Sequence, residues 1–278
     1  MIIARRGVIE KTAFSILALF FMVLFGFPFV VTFLMAFKSL PDYMSGNYWG
    51  FPKTIFLGNL ERVLFSRFNI YFLNSIFVSA IAVTLTVLIA SLASYAFAKM
   101  RFRLSPLIFT LFIIGMMIPV HTTLIPIYQL TRAMRLTNRL IGLVTPYISI
   151  GLPVAIYIMT SFFKEVPDSI QESAFIDGAS SLRIYWNIML PISVPAISTV
   201  AILNFLTYWN EFIYALTLIN TSSKRTLPLG IRDFYGVETV NIPAVFAAIL
   251  IASLPVILFY MFAQEKVING LSAGAVKG

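Results

Sequence analysis

The sequence predicts an all-α integral membrane protein with six transmembrane helices, and three observations point there. Charged residues make up only 11% of the 278 residues while 59% are hydrophobic, whereas soluble domains carry about 25% charge. Six long stretches contain no Asp, Glu, Lys or Arg: Thr12–Phe37, Phe68–Ala98, Leu104–Thr131, Leu140–Phe163, Asn187–Asn210 and Thr239–Gln264. Each reaches the roughly 20 residues that a helix needs to cross a hydrocarbon core about 30 Å thick.

Taken in order, the first span follows Arg5, Arg6 and Lys11, a start that imitates a secretory signal. Its apolar run continues for about 25 residues without a small-x-small cleavage site, which predicts a retained helix. A long loop from Lys38 to Arg67 leads to the second span. Within it, Asn74 is either an interhelical hydrogen bond or a contact along a pathway. The third span holds His121, the single histidine, expected near its outer end as a polar bundle residue. No cysteine, Asp or Glu clusters with it, so a metal site is not expected. Prolines at 28, 119, 126, 146, 153, 195 and 255 fit kinked helices around a cavity, or the ordinary proline content of membrane helices. A second long loop, Glu211 to Glu238, precedes the sixth span.

The net charge of +9 does not indicate nucleic acid, because the basic residues are scattered among loops and span ends and form no basic face. They serve anchoring and topology instead. With the amino terminus inside, Arg5, Arg6, Lys11, Lys99, Arg101, Arg103, Lys164, Arg183, Lys266 and Lys277 lie inside, ten of the twenty basic residues, so the count ties. The three basic residues before the first span and the tight KMRFR turn tip it inward. The absence of cysteine excludes disulfides and thiolate chemistry.

One polar segment interrupts the apolar pattern between the fourth and fifth spans. Val166, Pro167 and Asp168 open a helix, since proline suits the first helical position and an acidic residue the first turn. Ser169 with Glu172 also fits a capping box starting slightly later, and both starts remain open. Gly178 is placed to end the helix in a left-handed cap. A second amphipathic piece, Ser181 to Met189, returns the chain to the bilayer at Pro191. The result is a rigid knob with small side chains, suited to close approach by a partner.

Here the residues carry a resemblance. Glu172, Ser173, Ala174, three residues, Gly178, nine residues, Ile188, one residue, Leu190 and Pro191 resemble the EAA loop of permease subunits in binding-protein-dependent ABC importers. The family pattern is EAA, x3, G, x9, I, x, LP, and Ser173 in place of alanine is the one departure. The segments at 72–103, 117–130, 207–216 and 225–231 and the tail GLSAGAVKG at 270–278 resemble the shorter permease subunit of the maltose-type branch of sugar importers.

The resemblance implies a type I ABC importer permease (MetI-like) fold with a cytoplasmic EAA coupling helix. It implies a division into residues 1–67 (first helix and outer loop), 68–264 (transmembrane core, with the coupling loop at about 164–191) and 265–278 (cytoplasmic tail). The implied partners are a second permease in a heterodimer, two ATPase subunits holding ATP and Mg, an extracytoplasmic sugar-binding protein, the sugar and membrane lipid. The implied location is a bacterial or archaeal cytoplasmic membrane, multi-pass, with both termini cytoplasmic. Glu172, Ser173, Ala174, Gly178, Ile188, Leu190 and Pro191 would form the ATPase coupling site, with Glu172 pairing with a basic residue of the ATPase. The loop from Thr221 to Val240 would face the binding protein, and Gly270, Leu271, Ala273 and Gly274 of the tail would extend toward the ATPase.

Tyr208, Trp209, Asn210 and Glu211, with Asn74, form a candidate translocation path, since sugars are held by hydrogen bonds and ring stacking; an interfacial aromatic belt is the alternative reading of Tyr208 to Glu211. No GxxxxGK[ST] phosphate loop occurs, so ATP is expected to bind on another chain and no cofactor on this one. Two rival functions are an ion-coupled secondary transporter, which usually buries charged groups along its path, and an intramembrane enzyme. The spans hold neither a set of buried carboxylates nor a paired acid and base.

Overall fold

All six charge-free stretches fold as helix, but two of them do not fold as a single straight one. The structure, a computed structural model, describes residues 2–235 and 240–275, with side chains described for 10–235 and 240–261. Continuous helices of membrane-crossing length occur in α1 (Ile2–Ala36), α4 (Phe68–Lys99), α7 (Ile141–Glu165) and α14 (Ile242–Ala275). Between α1 and α4 lie the short helices α2 (Leu40–Met44) and α3 (Gly58–Leu64).

The third stretch breaks into α5 (Ser105–Gly115) and a second piece, Val120–Ala133, whose α-helical part is α6 (Leu124–Ala133); the two meet at 100°. Eleven residues rise only about 16 Å, half of a bilayer core. The break falls at Pro119, which has no N–H to donate and disfavours helical backbone in the residue before it. His121 lies exposed on the first turn after it. The fifth stretch bends by 75° between Ser181–Ile192 and α11 (Val194–Trp209). Counting each bent pair as one crossing, the described residues provide up to six spans. Pro28, Pro146, Pro153 and Pro255 lie inside continuous helices and break none of them.

By its internal contacts the chain divides into two units. In the first, Met1–Phe68 with Ile231–Leu254, the loop after α1 is ordered by two polar anchors. The buried Asp42 carboxylate accepts the Lys53 backbone N–H at 3.0 Å, and the Asn59 amide donates to the carbonyls of Ala36 and Lys38 at 3.0 and 2.7 Å. The Lys53 N–H holds the Asp42 carboxyl below the usual carboxylate range.

The second unit, Asn69–Gly230 with Pro255–Gly278, has two apolar cores. Tyr95, Ile156, Met159, Phe163 and Tyr185 anchor one, and Leu143, Tyr147, Tyr208 and Tyr214 the other. Ser75, Ser79, Ala82, Thr86, Ala90 and Ser94 are all buried along α4, at the spacing of one helix face. In lipid there is little hydrophobic drive between helices, so close approach over small residues and interhelical hydrogen bonds must hold them. The bonds are present: Thr86 to the Tyr208 hydroxyl at 2.8 Å, Ser91 to the Tyr185 hydroxyl at 2.6 Å, and Ser94 to the Ile156 carbonyl at 3.0 Å.

Like the first long loop with its α2 and α3, the second is not irregular throughout: it contains α12 (Ile213–Leu218) and α13 (Leu227–Gly230). The Glu211 carboxylate accepts the Tyr214 and Ala215 N–H groups at 2.7 and 3.2 Å, which satisfies the free donors at the start of α12. Tyr214, Ala215 and Leu218 are then buried.

Candidate functional site

The polar insert emerges from α7 through Val166, which leaves the helical region at φ −66°, ψ 125°. Helix α8 (Asp168–Ile176) begins next, with Pro167 just outside it and Asp168 in its first turn. Of the two starts open in the sequence, the Pro167–Asp168 one forms. Ser169 is inside the helix and does not cap it; its carbonyl instead accepts the Ser173 hydroxyl at 2.8 Å. That bond satisfies the polar atom which distinguishes Ser173 from the family's alanine.

Helix α8 ends in a two-bond cap around Gly178, which stands at φ +77°. The Gly178 N–H donates to the Phe175 carbonyl and the Ala179 N–H to the Ala174 carbonyl, both at 3.0 Å. Ala174 and Ala179 pack into the same core, the apolar contact that accompanies this motif. Ser180 then caps α9 (Ser181–Ile184), its hydroxyl accepting the Arg183 N–H at 3.4 Å. A π-helical turn, Tyr185–Met189, follows, where the Leu190 N–H bonds to the Tyr185 carbonyl five residues back. Pro191 in α10 (Leu190–Ile192) has no N–H to continue the ladder, which explains a wide turn at this place.

The motif residues divide by orientation. Ala174 is buried, and Ile188 and Leu190 are half-buried against the core that contains Phe163 and Tyr185, so these three hold the insert to the bundle. Glu172, Ser173, Gly178 and Pro191 are exposed. Beside them Ile176 is 86% exposed, and Phe175 and Leu182 are also uncovered. These apolar side chains are left uncovered on a capped, ordered helix.

Next to α8 lies an open hollow of about 460 Å³, lined by Phe97, Lys99, Arg101, Asp168, Glu172 and Phe175 among others. The Lys99 ammonium donates to Asp168 Oδ1 at 2.6 Å and to the Val166 carbonyl at 2.5 Å. This pair was not anticipated. Its only sequence signal was the basic KMRFR turn, which gives no indication of a partner 69 positions away.

The candidate path residues do not form one lining. Tyr208 and Trp209 are buried within this chain, Tyr208 stacked on Tyr147 and Trp209 edge-on to Phe72. Glu211 caps α12, and only Asn210 is exposed. The Asn74 amide donates to the Ser223 and Arg225 carbonyls at 3.0 and 2.9 Å, tethering the segment after α12. Asn138, at φ 57°, holds the same segment through its side-chain oxygen, which accepts the Asn220 and Thr221 N–H groups. Gly270, Leu271, Ala273 and Gly274 belong to the backbone of α14, which runs to Ala275, and their side chains lie outside the described residues.

Long apolar helices joined by hydroxyl bonds, with a short capped polar helix between two of them, define a multi-pass helical membrane protein. The chain belongs to the family of binding-protein-dependent transport system inner membrane components, which it matches over residues 88–272. It is 43% identical over 251 residues, 90% of this chain and 91% of the relative, to a putative ABC transporter permease protein, ORF2, of Caldicellulosiruptor sp. strain Rt8B.4. It is 31% identical, over 99% of both chains, to the trehalose/maltose transport system permease protein MalG of Thermococcus litoralis. The fold matches a chain in the crystal structure of a bacterial ABC transporter that imports the acidic polysaccharide alginate, with TM-score 0.83 and 22% identity over 94% of this chain and 97% of that one. The chain is therefore a multi-pass permease subunit of an ABC importer, working with a binding protein and with separate subunits that hydrolyse ATP.

Proposed function

We propose that the imported solute is a carbohydrate: an oligosaccharide, disaccharide or polyol. The reading is supported by relatives whose names specify trehalose and maltose, and by a structural neighbour that imports alginate. In this reading the chain forms a heterodimer with a second permease, rests on two ATPase subunits that hold ATP and Mg, and receives its sugar from an extracytoplasmic binding protein. Both termini and the polar insert face the cytoplasm of a bacterium or archaeon. Residues 1–67, 68–264 and 265–278 serve as first helix with outer loop, transmembrane core and cytoplasmic tail. Gly270, Leu271, Ala273 and Gly274 direct the end of α14 toward the ATPase.

Coupling runs through α8. ATPase closure displaces a cleft in which the exposed face of α8 sits, with Glu172 paired to a basic residue of the ATPase. A capped helix passes that displacement on, where a flexible loop would absorb it, and the bundle supplies the two states of alternating access. The observation that carries this is the exposure of Ile176 beside Glu172 on a helix fixed at both ends. At the other side, Asn210, with Glu211 behind it, is the part of the Tyr208–Glu211 cluster open to a passing sugar.

The test is Glu172→Ala in the assembled transporter. Loss of the pair on docking is expected to weaken the ATPase contact by about 2 to 5 kcal/mol, abolishing ATP-driven uptake while membrane insertion stays intact. Wild-type uptake in this variant would refute the docking role. Uptake driven by an ion gradient without ATP would refute the importer mechanism as a whole.

A further inference from the structure

We propose that Lys99 is a positioning residue that makes α4 and the coupling helix α8 move as one body. The proposal rests on the reading of α8 as the element that docks on the ATPase. Lys99 is the last residue of α4, yet its side chain is only 3% exposed, whereas Asp168, its partner, is 75% exposed. Its ammonium grips two different elements. The Val166 carbonyl belongs to the extended link after α7, and Asp168 is the first residue of α8.

The geometry explains why such a grip is needed. Ala174 is the one buried residue of α8. Apart from Ala174, α8 meets the core only through the half-buried Ile170 one turn earlier, so a helix seated on this short line can rock about it. A force applied on the free face at Glu172 and Ile176 would then rock α8 about the Ile170–Ala174 line and dissipate. Ala179, just past the Gly178 cap, packs one end onto the core, and Lys99 ties the other to the end of a membrane span. An exposed ion pair contributes little to stability. Here the buried lysine stem and the second bond to a backbone carbonyl make the pair a geometric constraint. Arg101 is the other cation that acts on Asp168, from the turn after α4.

The experiment measures uptake and ATP hydrolysis together in proteoliposomes containing the complete transporter and its binding protein, with maltose and trehalose as probes. For Lys99→Met, sugar moved per ATP is expected to fall about tenfold while hydrolysis changes less than about twofold, a loss on the scale of typical site-to-site coupling. Asp168→Asn should shift the ratio in the same direction by less, since the Val166 bond remains, and Asp168→Glu should restore it. The double variant should match Lys99→Met alone, because both substitutions remove one constraint. An unchanged ratio in Lys99→Met overturns the proposal. So does uptake that falls only in step with the amount of assembled transporter, or a double variant in which the two losses add. A wild-type complex that accumulates neither of these sugars nor any other oligosaccharide, disaccharide or polyol with ATP removes the carbohydrate-importer reading, and the proposal with it. A wild-type that transports alongside an unaffected Lys99→Met removes the proposal alone.

Discussion

The Tyr185 hydroxyl lies 2.6 Å from the Ser91 hydroxyl, joining the π-helical turn Tyr185–Met189 to the last third of α4, 94 positions earlier. Ser91 also donates to the Leu88 carbonyl, so it keeps a partner if the tyrosine oxygen is removed. Tyr185→Phe is therefore expected to cost only about 0.6 to 1 kcal/mol, the usual range for one interhelical bond. A thermal unfolding scan of the purified complex should show a small downward shift. A loss of several kcal/mol would mean that the π turn itself depends on this bond.

Gly151 has a sharper role. A Cβ there would overlap the Asn204 side-chain oxygen and the Tyr208 hydroxyl. Both groups are buried, and the Tyr208 hydroxyl is held by Thr86, so neither can yield cheaply. Gly151→Ala should destabilise the α7–α11 contact by about 1 to 3 kcal/mol and lower the yield of assembled transporter. Gly26→Ala, where nothing lies within 4 Å, should be silent in the same assay.

At Gly178 the constraint is backbone conformation, not space: no atom lies within 4 Å of a Cβ, but φ is +77°. Gly178→Ala should cost about 1 to 2 kcal/mol and Gly178→Asn less, because asparagine tolerates the left-handed region. Uptake per ATP, compared with total ATP hydrolysis, reads whether a frayed end of α8 loses coupling. Equal coupling in both variants would show that the cap is dispensable.

The Lys99–Asp168 pair also predicts a pH dependence. The hydrogen bond and charge of Lys99 hold the Asp168 carboxyl below the usual carboxylate range. A depressed folded pKa means that the pair's contribution is present above the unfolded value of about 3.9 and is lost as pH falls through the folded pKa. The difference in Tm between wild type and Asp168→Asn should be flat from about pH 8 to about pH 5 and close below about pH 4. Added salt should shrink it at every pH, since Asp168 faces water. A difference that persists at the lowest pH would assign the effect to shape, not charge.

Much of this was legible in the residue order. The charge-free stretches gave the helical class because apolar length is a local property set by bilayer thickness. The insert's stop at Gly178 was legible because capping depends on a few adjacent residues, whereas its start was narrowed only to Asp168 or the Ser169 capping box. The motif spacing from Glu172 to Pro191 identified the family before any contact was known. Less could be read of the breaks. Pro119 and Pro191 sit at a bend and a π turn, while Pro28, Pro146, Pro153 and Pro255 stay inside helices. The residue is the same in each case, so proline by itself does not tell a break from a continuous helix.

By itself, then, the sequence determined the membrane class, the polar insert and its caps, and the kinship with importer permeases, since each of these depends on composition or on spacing within a short window. The tertiary structure alone decided which motif residues point inward. Ala174, Ile188 and Leu190 hold the insert down, whereas Glu172 and Ile176 remain free. It also decided that Glu211 caps a buried helix, that Asn74 tethers a distant segment, and that Lys99 grips Asp168. Those facts depend on which side chains the packing brings together across tens of residues, and no local pattern records such a meeting.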